Sequence, residues 1–258
     1  MRLNKIFHAT TLLVFAALIS TLTLKSNAQG ITVYQYRQVQ PEHVDEFIKR
    51  ETTYWSEVAK KAIDKGNLTF WALLEQVGGH DTGGSSTFMF VNTYNDIDAT
   101  EAVWASAPAT FPSVPLAKME TYSISKTTST LFVKVECWQA SAKAGAAKFV
   151  KVNYITSSDS GDLIELERKH WLPFIKAAMD ANQTSQVAWG NARILSPLSD
   201  DIKATSFSYD FYPSLKEALM PTWDSKVVFP NAGLAEINKL ELNRRGGVVY
   251  RIVKTVSK

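Results

Sequence analysis

The sequence predicts an α+β fold in which one β-α-β-β-α-β unit is written twice. Three observations carry this. Segments alternating with period two and segments with helical apolar spacing follow one another in the same order in both halves of the chain. Individual residues also match across the halves: Phe47, Ile48, Glu51, Trp55, Val58 and Ala62 recur 116 positions later as Leu163, Ile164, Glu167, Trp171, Phe174 and Ala178. Trp71 recurs as Trp189, Trp104 as Trp223, and Phe111-Pro112 as Phe229-Pro230, so six of the seven tryptophans fall into three pairs. A repeat of about 115 residues accounts for most of the 258-residue chain.

The first segment stands outside the repeat. Arg2 and Lys5 precede an apolar run over 10–24, followed by Ser26-Asn27-Ala28, with small residues at the −3 and −1 positions of a cut before Gln29. That order predicts a secretory signal peptide over 1–28. Its apolar core is shorter than the roughly 20 residues a membrane-spanning helix needs. The expected product is exported, periplasmic or extracellular, with no membrane attachment after cleavage. Removing Arg2, Lys5 and Lys25 from the 28 basic residues leaves 25, which equals the 25 acidic ones. The formal charge of +3 and pI near 8.8 therefore belong to the leader, and nothing basic enough to grip a phosphate backbone remains. No nucleic-acid partner is expected.

The first unit is expected over 29–142 and the second over 143–258. In the first, 31–39 alternates as a strand, 42–64 has helical spacing, and 68–77 and 87–94 are strands. Shorter helical pieces over 96–106 and 115–125 lead to a last strand over 131–138. The second unit repeats this as a strand over 148–155, a helix over 162–181, strands over 186–195 and 205–212, helices over 214–220 and 233–243, and a strand over 247–256. Arg244-Arg245 and Gly246-Gly247 read as a turn before that final strand. The single cysteine, Cys137, falls in an apolar strand, so no internal disulfide is possible and a buried, inert thiol is expected.

The β-α-β-β-α-β order is that of the ferredoxin-like split unit, an antiparallel sheet with helices on one face. Two such units in tandem resemble the dimeric α/β barrel superfamily, here with both halves on one chain as a pseudo-dimer. The resemblance rests on element order and duplication and brings no active-site signature with it. It implies two sheets packed into one barrel, with a pocket between sheet and helices in each unit. It also implies a choice of roles that includes cofactor-independent monooxygenases, haem-binding or haem-degrading enzymes, isomerases and plain ligand binders.

The residues themselves narrow this only so far. Glu51 lies inside the apolar stripe of the first long helix, one turn before Trp55, and Glu167 holds the same place before Trp171. A core-facing carboxylate needs a partner, and its desolvation would suit general acid or base work. His170 stands where the first unit has Tyr54, which makes Glu167 and His170 candidate acid/base or haem-contacting residues. On the second strands, Trp71 and Trp189 share faces with Glu75 and Arg193, and Arg193 is a candidate counter-charge for Glu167 or an anionic ligand. Glu51, Glu167 and His170 are thus the catalytic candidates; Tyr54, Trp55, Trp71, Trp171, Trp189 and Arg193 are the ligand-binding ones. Against this, buried glutamates also serve as structural pairs, aromatic stripes as core, and a helix histidine as surface. His43 and His80 read as a first-turn residue and a loop residue, no metal-ligand spacing occurs, and no metal is expected. The leading expectation is an exported protein binding a small apolar or aromatic molecule between sheet and long helix, with no cofactor. A cofactor-independent monooxygenase or haem protein using Glu167 and His170 is the alternative, and a non-catalytic pseudo-dimer acting through its surface is the third.

Overall fold

The computed structural model describes residues 30–79, 87–198 and 204–258. The signal peptide expected over 1–28 and the loop residue His80 lie outside these residues. Eight strands among them close into a barrel: β1 (Thr32–Val39), β2 (Leu68–Gln76), β3 (Phe88–Tyr94), β4 (Ser125–Ala140), β5 (Phe149–Ser157), β6 (Ala188–Ser196), β7 (Ser206–Tyr212) and β8 (Glu241–Ser257). The order around the barrel is β1-β3-β2-β8-β5-β7-β6-β4, and β4 returns to β1. Every neighbouring pair is antiparallel. The first half of the chain supplies the arc β4-β1-β3-β2, the second half supplies β8-β5-β7-β6, and the pairs β2–β8 and β4–β6 join them.

Two strands are much longer than the sequence pattern indicates, and barrel closure is the reason. Residues 125–133 of β4 pair with β1, and residues 132–140 then pair with β6 in the other arc. Likewise 241–251 of β8 pair with β5, and 250–257 pair with β2. Each long strand serves its own arc first and the opposite arc second. The turn expected at Arg244–Gly247 is therefore continuous strand. Gly247 fits there because a Cβ would come within 2.5 Å of the Lys151 side chain and 2.6 Å of Asn153 Oδ1, both on β5.

The two long helices lie outside the barrel. The first, α1 (residues 44–64), consists of Val44–Arg50, a π-helical turn over Glu51–Trp55, and Ser56–Asp64. Three short helices follow: α2 (Thr100–Ala105), α3 (Ala107–Thr110) and α4 (Leu116–Met119). In the second half, α5 (residues 160–180) has the same make-up, with Ser160–Leu166, a π turn over Glu167–Trp171, and Leu172–Asp180. It is followed by α6 (Leu215–Leu219) and α7 (Asn231–Leu240). Asp159 starts α5 by accepting from the Gly161 and Asp162 backbone amides at 2.8 and 3.0 Å. Both long helices stop in the same way. Gly66 at φ +82° and Asn182 at φ +54° turn the chain left-handed, and the next amide reaches back to the Ala62 or Ala178 carbonyl at 2.9 or 2.8 Å. No helix among the described residues is long and apolar enough to cross a membrane.

Strand alternation divides the core in two. Inward side chains, among them Tyr34, Tyr36, Leu74, Met89, Val133, Val152, Phe207 and Tyr250, fill the barrel lumen from both halves. Outward ones meet the helices: Phe47 and Ile63 of α1 bury against Trp71, Leu73, Phe88 and Phe90, and Ile175 and Met179 of α5 against Trp189 and Cys137. Each such side chain contributes about 1.5–3 kcal/mol when fully buried. Cys137 is buried as expected, and burial pushes its thiol above the ordinary range.

Candidate functional site

Both glutamates inside the helix stripes are buried, each 4% exposed, and each opens the π turn that its tryptophan closes. A π turn widens the helix by one residue and is common at functional sites. Beyond this common position the two surroundings differ.

In the first half, Thr121 Oγ1 donates to Glu51 Oε1 at 2.7 Å. Burial drives the Glu51 carboxyl up to about 7, against the pull of the Thr121 bond and of the nearby Arg37 guanidinium. Arg37, 2% exposed, donates to Ser125 Oγ and to Gln35 Oε1 (3.2 Å), and it stacks 4.5 Å over the Tyr122 ring. Trp55 Nε1 donates to the Met119 carbonyl at 2.8 Å and meets Trp104 edge-on at 6.1 Å. Tyr54 is T-stacked on Phe111. The floor is aromatic: Trp71 is 1% exposed beside Phe90, and Phe47 packs on both Phe88 and Phe90. Glu51 and Trp71 thus stand in packed surroundings between α1 and the sheet, while Tyr54 and Trp55 pack against the short helices α2–α4 and the segment around Phe111.

The second half replaces that packing with space. Its strands correspond to the first at an offset of 118, as matching hydrogen bonds show: Val39 N to Thr87 Oγ1 and Ser157 N to Thr205 Oγ1, both at 3.0 Å. On this register Phe88 and Phe90 become Ser206 and Ser208, Leu73 becomes Asn191, and Arg37 becomes Ile155; on α5, Leu163 stands for Phe47. Three aromatic rings are lost from one face. A cleft of about 320 Å³ lies there, lined by Glu167, Trp171 and Trp189, by Ser208 and Asp210 of β7, and by Leu234, Ile237, Asn238 and Glu241 at the α7 end.

Its polar groups are held in place. Asn191 Nδ2 donates to Glu167 Oε2 at 2.8 Å, while Asn191 Oδ1 is buried without a hydrogen bond. Asp210 accepts from Asn153 at 2.8 Å and Gln186 at 2.9 Å. Trp171 packs on Phe174 and Trp223, with centroids at 5.0 and 6.3 Å. Trp189 is the cleft's buried floor, 1% exposed. The arrangement offers two indole faces, a desolvated carboxylate and small polar side chains, which suits an aromatic body carrying hydrogen-bonding substituents.

Two expected members stand elsewhere. His170 faces α7, where its Nε2 lies 3.3 Å from Glu236 Oε2, and a Cβ at Gly233 would overlap its ring. It is one helical step off the Glu167 face and outside the cleft lining. Arg193 pairs with Glu136 of the adjoining strand β4 at 3.2 Å; its register partner is Lys134, and Glu136 is the extra residue of the irregularity between Val135 and Cys137. Glu167 takes its partner from Asn191 instead. Ser208 was the member that sequence reasoning missed. Aligning Phe90 with Ser208 at the strand offset is the sequence signal that exposes it.

Haem would need an axial ligand and room for its propionates. The cleft lining offers no imidazole or thiolate, and its three carboxylates would meet propionates with like charge. These residues do not fit haem, and no step is routed through it. Among the described residues no group of three or more His, Cys, Asp or Glu could hold a metal ion.

The sequence matches no family model and no curated protein. Solved structures do match. A proposed monooxygenase from Lactobacillus acidophilus superposes with a TM-score of 0.56 at 8% identity, covering 88% of this chain and 95% of that one. An anthrone oxidase-like protein gives 0.52 at 15%, covering 89% and 93%. A proposed monooxygenase from Fusobacterium nucleatum subsp. nucleatum gives 0.52 at 10%, covering 88% and 94%. The fold is the dimeric α+β barrel of these structures.

Proposed function

We propose that this protein binds a small, largely apolar or aromatic molecule in the cleft between α5 and the sheet, and that the first half serves as its scaffold. The carrying observation is the exchange of Phe88 and Phe90 for Ser206 and Ser208, which leaves about 320 Å³ beside Glu167, Trp171 and Trp189 in the second half. The wider setting we propose is an exported chain: a signal peptide over 1–28, then two β-α-β-β-α-β units over 29–142 and 143–258 derived from one ancestor and acting as a pseudo-dimer. Matched tryptophans, matched π turns and the same strand order in each arc support that reading.

Native mass spectrometry of the protein purified from its own host tests the proposal. The expected result is a small-molecule adduct that disappears in Ser208→Phe, the variant that copies the first half's ring. An adduct retained at full occupancy in Ser208→Phe overturns the cleft as its location.

A second reading, a cofactor-independent monooxygenase, is favoured by the desolvated Glu167 carboxylate at the cleft wall and accords with what the structural neighbours are described as. Glu167 would take a proton from an acidic CH₂ of the substrate. Dioxygen would then supply one oxygen atom to make the carbonyl and leave the other as water. Oxygen uptake with anthrone, abolished in Glu167→Gln, is the expected result, and uptake unaffected by that change removes Glu167 from the chemistry.

A further inference from the structure

The barrel lumen contains a second cavity, of about 430 Å³, on the opposite face of the sheet from the cleft. All eight strands line it. On β7 the separation is direct, since Ser208 and Asp210 face the cleft while Tyr209 and Phe211 face the lumen. Space arises at this end because Ala72 and Ala188 stand where larger residues would meet; Tyr36, Tyr154, Phe207 and Tyr250 fill the rest of the lumen. The rim carries Trp138, 53% exposed and edge-on to Phe211 at 5.1 Å, next to the turn Ala144–Ala146 that joins the two halves.

The wall is apolar apart from a few hydroxyls. Thr32 and Thr93 hydrogen-bond to each other at 2.9 Å. Tyr34 donates to Tyr209 across the lumen at 2.6 Å, and both are buried. Two hydroxyls carry two protons but share one hydrogen bond, so one O–H is left without an acceptor among the described residues. Burial holds both phenols well above the ordinary tyrosine range, so that proton stays in place. A buried donor in apolar surroundings is costly to leave unbonded. An oxygen acceptor inside the cavity would take it. In the first half the residue corresponding to Tyr209 is Val91, and in the second the residue corresponding to Tyr34 is Val152, so the repeat itself does not require the pair.

We propose that the lumen is a ligand site in its own right, for a small, uncharged, mainly apolar molecule that presents a carbonyl-type oxygen to the Tyr34–Tyr209 pair. Its volume lies within the range of small-molecule pockets, and an apolar wall with one converging polar group is their usual make-up.

The test uses the full chain with methyl-labelled valine, leucine and isoleucine, titrated with 2-acetonaphthone and with its oxygen-free counterpart 2-ethylnaphthalene up to about 1 mM, a weak-binding threshold. The expected result is methyl shifts at Val135, Val150 and Ile252, in the lumen, with the ketone bound roughly five- to tenfold more tightly, the gain of one hydrogen bond. In the Tyr34→Phe/Tyr209→Phe double variant the ketone should lose that advantage, while 2-ethylnaphthalene still shifts the same methyls and so reports an intact barrel. A single change would not suffice, because the remaining hydroxyl could donate. Shifts confined to Leu234 and Ile237 of the cleft, no shifts at all, or a ketone preference that survives the double change would each overturn the proposal. Failure of the lumen proposal would leave the cleft proposal standing, because the two cavities have separate linings and separate reporter methyls.

Discussion

Glu51 and Glu167 hold the same place in the chain and do different work. Glu51, its carboxyl raised by burial to about 7, is protonated in the folded state over a range where an unfolded glutamate is ionised. The folded state then binds the extra proton. Its contribution is complete below about pH 4.5 and is lost as pH rises through 7, on the order of 3 kcal/mol in all. Urea unfolding of the wild type and Glu51→Gln at pH 5 and pH 8 should therefore show the wild type losing stability relative to the variant at the higher pH. Parallel pH profiles would contradict this. In the second half the contrast is between His170 and Trp171. Trp171→Ala should weaken a cleft ligand roughly tenfold or more through lost apolar contact, whereas His170→Ala should leave affinity unchanged because its ring lies against α7. Equal losses in both, by fluorescence titration, would return His170 to the site. Both carboxylates were legible in the sequence as charges inside an apolar stripe. Their partners were not, because Thr121, in the connection before β4, and Asn191, on β6, are 70 and 24 residues away, and no periodicity encodes which distant residue meets a helix face.

At the scale of elements, the π turns are the feature the sequence pattern concealed. One extra residue in a turn shifts the apolar spacing by a single position, which an amphipathic helix absorbs without visible break. Lys169 is exposed within the turn of α5. Deleting it should convert the π turn to α and keep both flanking segments on their faces, since a π turn is a single-residue expansion of the helix. Circular dichroism should show helix content retained, while the cleft ligand is lost because Glu167 and Trp171 no longer face it together. Unaltered binding would make the turn incidental. The long strands were under-read for a different reason. Residues 125–130 and 241–246 are mostly polar, and a strand reads as alternating only where one of its faces is buried in apolar surroundings.

At the scale of the molecule, the order of elements was legible in the sequence, and the barrel followed from resemblance. Whether one or both halves hold a pocket was left open by the sequence, because the matched tryptophans are alike and the exchanges that make room for the cleft of the second half are serines. The two arcs depend on each other. Alone, either would expose the unpaired edge of β2 or β6 and half of a lumen core, an arrangement prone to aggregation. Expressed separately, 30–142 and 143–258 should show no cooperative unfolding, and expressed together they should co-elute as one folded species. A cooperative transition from either piece alone would show that the arcs are independent.

The strands that change partner midway also set a schedule. Pairing of β2 with residues 250–257 of β8 joins parts of the chain about 180 residues apart, and such distant contacts form late and slowly. Before β8 is made, β2 can pair with β3 on one edge only, and its other edge waits open. Until β8 has been made the barrel cannot close, so each arc presents open strand edges to its surroundings for as long as synthesis takes to cover the interval from β2 to β8.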